Sequence, residues 1–167
     1  MAGDEPGSNG LNFDAQGRLL LAEHGDRRVT GLEPDGKKTV LADKYQGKKL
    51  NSPNDLTVHP NGDIYFTDPQ FGLARWDTRE LPFTGVYRIN AKDGSVTAVA
   101  TNLAPNGIAL SPDGKTLYVT SRGTWMAFAV NPDGSTGEGK VFVDPRQWTV
   151  MPRTGGIDGL EVDAQGN

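Results

Sequence analysis

A unit of sequence recurs four times along the chain, and this repeat constrains the fold more than any other feature. The four copies align without gaps over nine residues, at 9–17, 54–62, 106–114 and 158–166. Each copy opens on an asparagine or aspartate, has apolar residues two and four places later, and has a glycine eight places later. The alternation of apolar and polar residues predicts a strand with one buried face, and the glycine predicts a turn after it.

The residues after each turn predict three more strands per unit. Runs rich in β-forming residues follow the turns at 18–23, 63–67 and 115–120, and each can pair back as the second arm of a hairpin. A second hairpin follows, with paired arms at 28–32 and 38–42, at 85–89 and 95–99, and at 125–130 and 140–143. Asp-Gly pairs stand in its turns, where they accept positive φ at little cost. Each complete unit is therefore predicted to be a four-stranded antiparallel sheet.

The spacing of the units predicts a β-propeller. The opening residues lie 45, 52 and 52 positions apart, near the ~40–50 residues of a propeller blade. A sandwich of unequal hairpins is the alternative, but it would not explain an opening residue, a turn and a second strand repeated in the same frame. We expect an all-β chain in which residues 1–167 form one partial propeller domain, with blade units at about 8–47, 53–102 and 105–145 and the first strand of a further blade at 157–167. Because three blades cannot close a ring, we expect a piece of a longer protein or a shortened reading frame.

The composition excludes several kinds of function. The chain has no cysteine, which rules out a cysteine nucleophile, a thiolate metal site and disulfide bonds. Its net charge is -4 and it has no basic cluster beyond three pairs of adjacent residues, so we expect neither nucleic acid nor a membrane as a partner. No apolar stretch approaches the ~20 residues of a membrane span, and residues 1–6 lack the features of a signal peptide. We expect a soluble protein, cytoplasmic or periplasmic, with the native N-terminus missing and the oligomeric state left open.

Several stretches resemble the SMP-30/gluconolactonase family. They are Ser-Asn-Gly-Leu at 8–11, Pro-Asn-Asp-Leu at 53–56, Tyr-Phe-Thr-Asp-Pro at 65–69, residues 105–119 and Ile-Asp-Gly-Leu at 157–160. Residues 22–29 are similar to the second blade of the bacterial gluconolactonase branch. The resemblance covers essentially the whole chain and implies a six-bladed propeller with one divalent cation at its channel. By this resemblance the chain would span blades two to four and the first strand of blade five.

The resemblance also implies roles for single residues. The family holds its metal with a glutamate from the first blade, asparagines from the third and fourth, and an aspartate from the fifth. By that match Asn54 touches metal or substrate, and Asn106 and Asp158 are metal ligands. The first-blade glutamate has no counterpart in this sequence, so we expect the chain by itself to bind a cation weakly and to hydrolyse little or no lactone.

The chemistry of these side chains fits a cation. Equivalent positions of successive blades converge on the propeller axis, so Asn54, Asn106 and Asp158 should surround a common point. Amide and carboxylate oxygens are hard donors suited first to calcium, with magnesium, manganese or zinc as further candidates. The alternative is that Asn-Gly and Asp-Gly are turn dipeptides, although the hairpin turns already lie eight residues downstream. For Asn9 a structural role is favoured.

Catalysis needs a base as well as a cation. A bound cation would polarise the lactone carbonyl, and Asp158 is the first choice for the carboxylate that takes a proton from the attacking water. Asp55 is expected at the substrate, and Asp55 and Asp68 are weaker candidates for the base. His24 and His59 are expected to be surface or turn residues.

A long segment at 69–83 predicts a rim over the channel mouth. Its length exceeds that of a blade turn, and it carries aromatic and arginine side chains. Long loops on a rigid scaffold often form the rims of binding sites. The candidate substrate-binding lid residues are Phe71, Arg75 and Trp76.

Three functions remain open from the sequence. The leading hypothesis is an enzyme, a metal-dependent hydrolase whose substrate is a small sugar lactone. A second is a non-catalytic propeller that binds a protein or peptide, since one fold hosts many functions. A third keeps the metal but cleaves an organophosphate or another ester.

Overall fold

Three sheets of four antiparallel strands make up the fold. The computed structural model describes residues 7–74, 77–148 and 157–167. The strands of the first sheet are β1 (Leu11–Phe13), β2 (Leu19–Glu23), β3 (Arg28–Leu32) and β4 (Lys38–Ala42). Those of the second are β7 (Leu56–Val58), β8 (Ile64–Asp68), β9 (Gly85–Ile89) and β10 (Val96–Thr101). Those of the third are β11 (Pro105–Leu110), β12 (Thr116–Ser121), β13 (Thr124–Ala129) and β14 (Lys140–Val143).

Within each sheet the strands follow one another in chain order, as successive hairpins require. The predicted all-β fold of four-stranded antiparallel units is confirmed. A small ribbon of β5 (Lys44–Tyr45) and β6 (Lys48–Lys49) lies outside these sheets and was not predicted. It turns at Gln46 and Gly47, which have φ of 51° and 79°, and Gln-Gly is not among the dipeptides that signal a hairpin. The described residues also include one 3-10 turn, Pro145–Gln147.

All four repeats form the same turn. In each, the glycine amide donates to the carbonyl three residues earlier at 2.8–2.9 Å, and the glycine φ lies between 70° and 92°. The glycines are Gly17, Gly62, Gly114 and Gly166. A side chain would be strained at these angles, which is why the repeat keeps glycine there.

The fourth repeat forms this turn without a strand before it. The sequence predicts the first strand of a further blade at 157–167, whereas the structure assigns none to that segment. A strand requires a hydrogen-bonded ladder along its edge, and no second arm pairs with this segment among the described residues. Its backbone joins the third sheet at Asp158, whose carbonyl accepts from Gly107 N at 3.3 Å.

The first and second sheets pack face to face around an apolar core. Strand β8 contributes Ile64 and Phe66 to this core, and β2 contributes Leu20 and Ala22 from the opposite side. Tyr87 stacks on Phe66 with ring centroids 5.5 Å apart. The alternation of β8 thus directs every second side chain to the first sheet.

The second and third sheets enclose a separate core. Tyr65, which lies between Ile64 and Phe66 in β8, faces the third sheet and packs with Val86, Leu117 and Val119. The Tyr65 hydroxyl donates to the carbonyl of Gly134, in the turn before β14, at 2.9 Å. The second sheet is therefore buried on both faces.

The first strands of the three sheets lie side by side, since β7 contacts both β1 and β11. This is the arrangement of propeller blades, whose innermost strands surround the axis. The described residues contain no helix long and apolar enough to cross a membrane.

Two buried tyrosines give a test of this packing. Tyr65 and Tyr87 are both 0% exposed, but the Tyr87 hydroxyl has no hydrogen-bond partner in the described part of the chain. We expect Tyr65→Phe to lower the free energy of unfolding by about 1 kcal/mol, because it leaves a buried carbonyl without its donor. Tyr87→Phe should leave that free energy unchanged or raise it. Urea unfolding of the two variants measures the difference, and the reverse order would contradict the assigned hydrogen bonds.

Candidate functional site

The opening residues of the four repeats meet at one end of the sheets. They line a single polar cavity of about 530 Å³. The predicted cation ligands Asn54, Asn106 and Asp158 all lie on its wall, together with Asp55. The structure therefore brings together four of the residues that the sequence singles out. The remaining lining residues are Asn9, Gly10, Leu11, Gly159, Leu160 and Glu161.

A threonine hydroxyl positions the opening residue of each following repeat. Thr67, near the end of β8, accepts from Asp55 N at 3.0 Å and donates to the carbonyl of Asn106 at 2.7 Å. Thr67 is fully buried, so this bridge is shielded from water. Asn106 is thus held by its backbone, and its side-chain amide is left for the cavity.

The same bridge recurs one sheet further on. Thr120, in β12, accepts from Gly107 N at 2.7 Å and donates to the carbonyl of Asp158 at 2.8 Å. In the first sheet alanine stands at the corresponding place, Ala22, and there Gly10 N donates directly to the carbonyl of Asn54 at 2.6 Å. One backbone-centred device therefore places all three predicted ligands.

Glycine follows the opening residue where two backbones approach most closely. A Cβ on Gly10 would lie 2.6 Å from the Cα of Asp55, and one on Gly107 would lie 2.7 Å from the Cα of Gly159. Neither glycine has a positive φ. The interpretation of these Asn-Gly pairs as turn dipeptides is therefore wrong, because the glycines serve contact between repeats.

Asn54 has the features of a ligand-binding side chain. It is 4% exposed, and its backbone is engaged on both sides, by Thr67 O at 2.9 Å and by Gly10 N. Its side-chain amide makes no hydrogen bond to any group in residues 7–74, 77–148 or 157–167. A nearly buried amide without a protein partner is costly, and here it lies on a polar cavity.

Asp55 links two sheets beside the cavity. Its Oδ1 accepts from Leu56 N at 2.9 Å, and its Oδ2 accepts from Ile108 N in the next sheet at 3.0 Å. Burial raises the pKa of Asp55 to about 6 against the opposing effect of these two amides, and the nearby carboxylates Glu161 and Asp158 raise it further. Asp55 therefore holds its proton at higher pH than an exposed aspartate does.

Two further cavity residues deserve comparison with the sequence-based expectations. Glu161 is an exposed carboxylate on the cavity wall that the sequence reasoning missed. The available signal was a charged residue three places after Asp158, where the other repeats carry asparagine, threonine and alanine. Asn9 also lines the cavity, and its backbone N donates to the carbonyl of Ala22 at 2.9 Å.

The predicted lid residues do not meet the cavity in the described structure. Phe71 is 52% exposed and is not part of the cavity wall. Arg75 and Trp76 lie outside the described residues. The start of this loop is anchored at Ser52, whose hydroxyl donates to the carbonyl of Pro69 and accepts from Gly72 N.

Asp68 acts in loop anchoring. It is fully buried, and its carboxylate accepts from the backbone N–H groups of Asn51 at 2.9 Å and Ser52 at 2.8 Å. Burial raises its pKa to about 7, with these hydrogen bonds acting in the opposite direction. Neither Asp68 nor the two histidines line the cavity, and His59 accepts from Asn61 N inside its own turn at 3.1 Å.

Comparison with known proteins agrees with this geometry. The family model described as the SMP-30/Gluconolactonase/LRE-like region matches residues 2–167. The chain belongs to this family. A curated family relative, a gluconolactonase of Zymomonas mobilis, is 34% identical over 98% of the chain and 48% of its own length. A lactonohydrolase of Aspergillus oryzae is 36% identical over 68% of the chain and 24% of its own length.

A solved structure of the family has the same fold. It is a gluconolactonase of Xanthomonas campestris, 38% identical, with a TM-score of 0.83 over 95% of this chain and 54% of that one. The resemblance to the family stated from the sequence is confirmed. The chain spans about half the length of the curated gluconolactonase that it matches.

The close approach of the repeats is testable with two glycines. A Cβ at Gly107 would collide with the backbone of residues 158–160, whereas one at Gly159 would meet nothing within 4 Å. We expect Gly107→Ala to lower the free energy of unfolding by about 1–3 kcal/mol. Gly159→Ala should change it by less than about 0.5 kcal/mol. Urea unfolding checks both, and equal effects would mean that the two repeats do not touch at Gly107.

Proposed function

We propose that the chain carries part of the active site of a metal-dependent hydrolase that acts on sugar lactones. The observation that carries the proposal is the common cavity of Asn54, Asn106 and Asp158. The relatives named gluconolactonase and lactonohydrolase support it with the same chemistry. The channel-mouth site favours an enzyme over a binding module, because polar groups left without partners at a cavity are typical of functional sites.

The donor set fits a hard divalent cation. Asn54, Asn106 and Asp158 offer two amide oxygens and one carboxylate, which suit calcium best. No group of three or more His, Cys, Asp or Glu side chains that could hold a metal occurs within the described ranges. The proposed site therefore depends on amide oxygens, and the unpartnered amide of Asn54 matches that role. A bound cation would polarise the lactone carbonyl and stabilise negative charge on its oxygen.

The residues of the chain supply the remaining chemistry. Asp158 is exposed to the cavity, and we assign its carboxylate the role of accepting a proton from the attacking water. Asp55, through its hydrogen bond to Ile108 N, keeps the second and third repeats at a constant separation. Asn54 lies between them and is placed to orient the lactone or hold the cation.

Cation binding tests the ligand assignment directly. Three side chains supply about three of the six to eight oxygens that calcium takes, so we expect a dissociation constant on the order of 10⁻⁴ M or weaker. Asp158→Asn removes the charged donor and should weaken binding about tenfold or more. Asp113→Asn, an exposed turn carboxylate away from the cavity, is the matched control. Calorimetric titration with calcium, magnesium, manganese and zinc gives the values, and equal loss in both variants would contradict the assignment.

Hydrolysis of gluconolactone tests the activity itself. We expect the chain to show little or no turnover, since a sparsely coordinated cation is poorly positioned. Any metal-dependent rate measured at constant pH should fall further with Asp158→Asn than with Asn9→Ala, because the first change removes both a ligand and the proposed base. Equal losses would count against Asp158 as the base, and robust turnover by the chain would show that three donors suffice.

A further inference from the structure

The outer face of the third sheet carries an apolar groove. Its walls are Tyr118, Trp125 and Phe142 from the sheet and residues 160–162 and 166–167 from the fourth repeat, and it encloses about 190 Å³. Phe142 is 60% exposed. The indole Nε1 of Trp125 is buried and has no acceptor within the described ranges. The groove is therefore apolar, open at the surface, and provided with one unused donor.

The internal repeat shows what covers the equivalent face elsewhere. Leu20 in β2 and Tyr65 in β8 occupy the place that Tyr118 occupies in β12, and both are 0% exposed. Leu20 packs in the core with Ile64 and Phe66 of the next sheet. In each case it is a second strand that supplies the covering side chains, Ile64 and Phe66 or Leu117 and Val119. Tyr118 remains partly exposed.

The fourth repeat fills only half of the corresponding place on the third sheet. Leu160 and Val162 stand where Ile108 and Leu110 stand one repeat earlier, and both are partly buried. The positions that a second strand would fill have no occupant in the part of the chain that the structure describes. This leaves the side chains of Tyr118, Trp125 and Phe142 partly uncovered.

The backbone beside the groove is also free to pair. In the three complete repeats the first strand pairs with the second, as in Leu11 with Leu21, Leu56 with Phe66 and Ile108 with Val119. Residues 159–162 form no such ladder with any described residue. Unpaired backbone N–H and C=O groups next to an apolar surface are what an added β-strand uses for affinity and register.

We infer that this groove is an acceptor site for an extended polypeptide strand. The strand pairs antiparallel with residues 159–162 and directs apolar side chains at alternate positions onto Tyr118, Trp125 and Phe142. Its chemistry is that of the second strands of the repeat, with apolar residues two apart on the buried face and a hairpin return. The inference rests on continuity with the two sheet-to-sheet interfaces and is independent of any catalytic activity.

A peptide from the chain itself provides the probe. Residues 18–32 contain β2, the turn and β3, and Leu19 and Leu21 occupy the positions of Ile64 and Phe66 in the second sheet. We expect this labelled peptide to bind the purified chain, with a saturable rise in fluorescence anisotropy. A peptide with Leu19→Lys and Leu21→Lys, which is charged on the face toward the groove, should bind at least about tenfold more weakly.

Two exposed phenylalanines provide a matched pair of protein variants. Phe142 lines the groove and is 60% exposed, whereas Phe13 is 62% exposed on the first sheet at the other end of the molecule. We expect Phe142→Ser to weaken peptide binding about tenfold and Phe13→Ser to leave it within about twofold. Because both side chains are already exposed, neither change should prevent folding, and circular dichroism would verify this.

Hydrogen exchange locates the bound strand. Peptide binding should slow exchange of the amides of residues 159–162, which pair with it, and should not slow those of 11–13 in β1. Absence of peptide binding would overturn the inference, as would binding that Phe142→Ser and Phe13→Ser weaken equally. Dimerisation of the chain in sedimentation, lost in both variants and without peptide binding, would show instead that the occupant is a second copy of the first sheet.

Discussion

Close contact between the backbones of successive repeats determines where every cavity residue lies. The opening residue of one repeat is joined to the next by hydrogen bonds that use its carbonyl, either directly, as from Gly10 to Asn54, or through the hydroxyls of Thr67 and Thr120. Such contacts are possible only where no Cβ intervenes, and Gly10 and Gly107 meet that condition. Because the backbone carries these hydrogen bonds, the side chains of Asn54, Asn106 and Asp158 are left for the cavity.

The cavity concentrates polar groups that the fold itself does not use. Asn54 has an amide without a partner among the described residues, and burial shifts the pKa of Asp55 upward to about 6 beside the carboxylates of Glu161 and Asp158. Elsewhere buried polar groups are satisfied: Asp68 accepts hydrogen bonds from Asn51 and Ser52 in holding its loop. Polar groups that cost folding free energy and lie together at a surface opening are typical of binding and catalytic sites.

Much of the site could be predicted because the repeat is so regular. Four residues in the same frame, in units related by rotation, had to converge, and Asn54, Asn106 and Asp158 do line one cavity. Glu161 was missed because it lies on a strand position that is polar in other repeats without being charged. The position of Phe71 was not predictable either, since it depends on how the loop is anchored at Ser52 and not on any local pattern.

The sequence by itself determined the kind of strands, their order and their turns, because alternation, turn glycines and spacing are local properties of the chain. It also determined family membership through its motifs. Only the tertiary structure decided that the glycines after Asn9 and Asn106 serve contact between repeats, since their role depends on a backbone about fifty residues away. The same holds for residues 157–167, where a correct local pattern does not become a strand. A strand is defined by hydrogen bonds to a neighbour, and no local sequence can supply that neighbour.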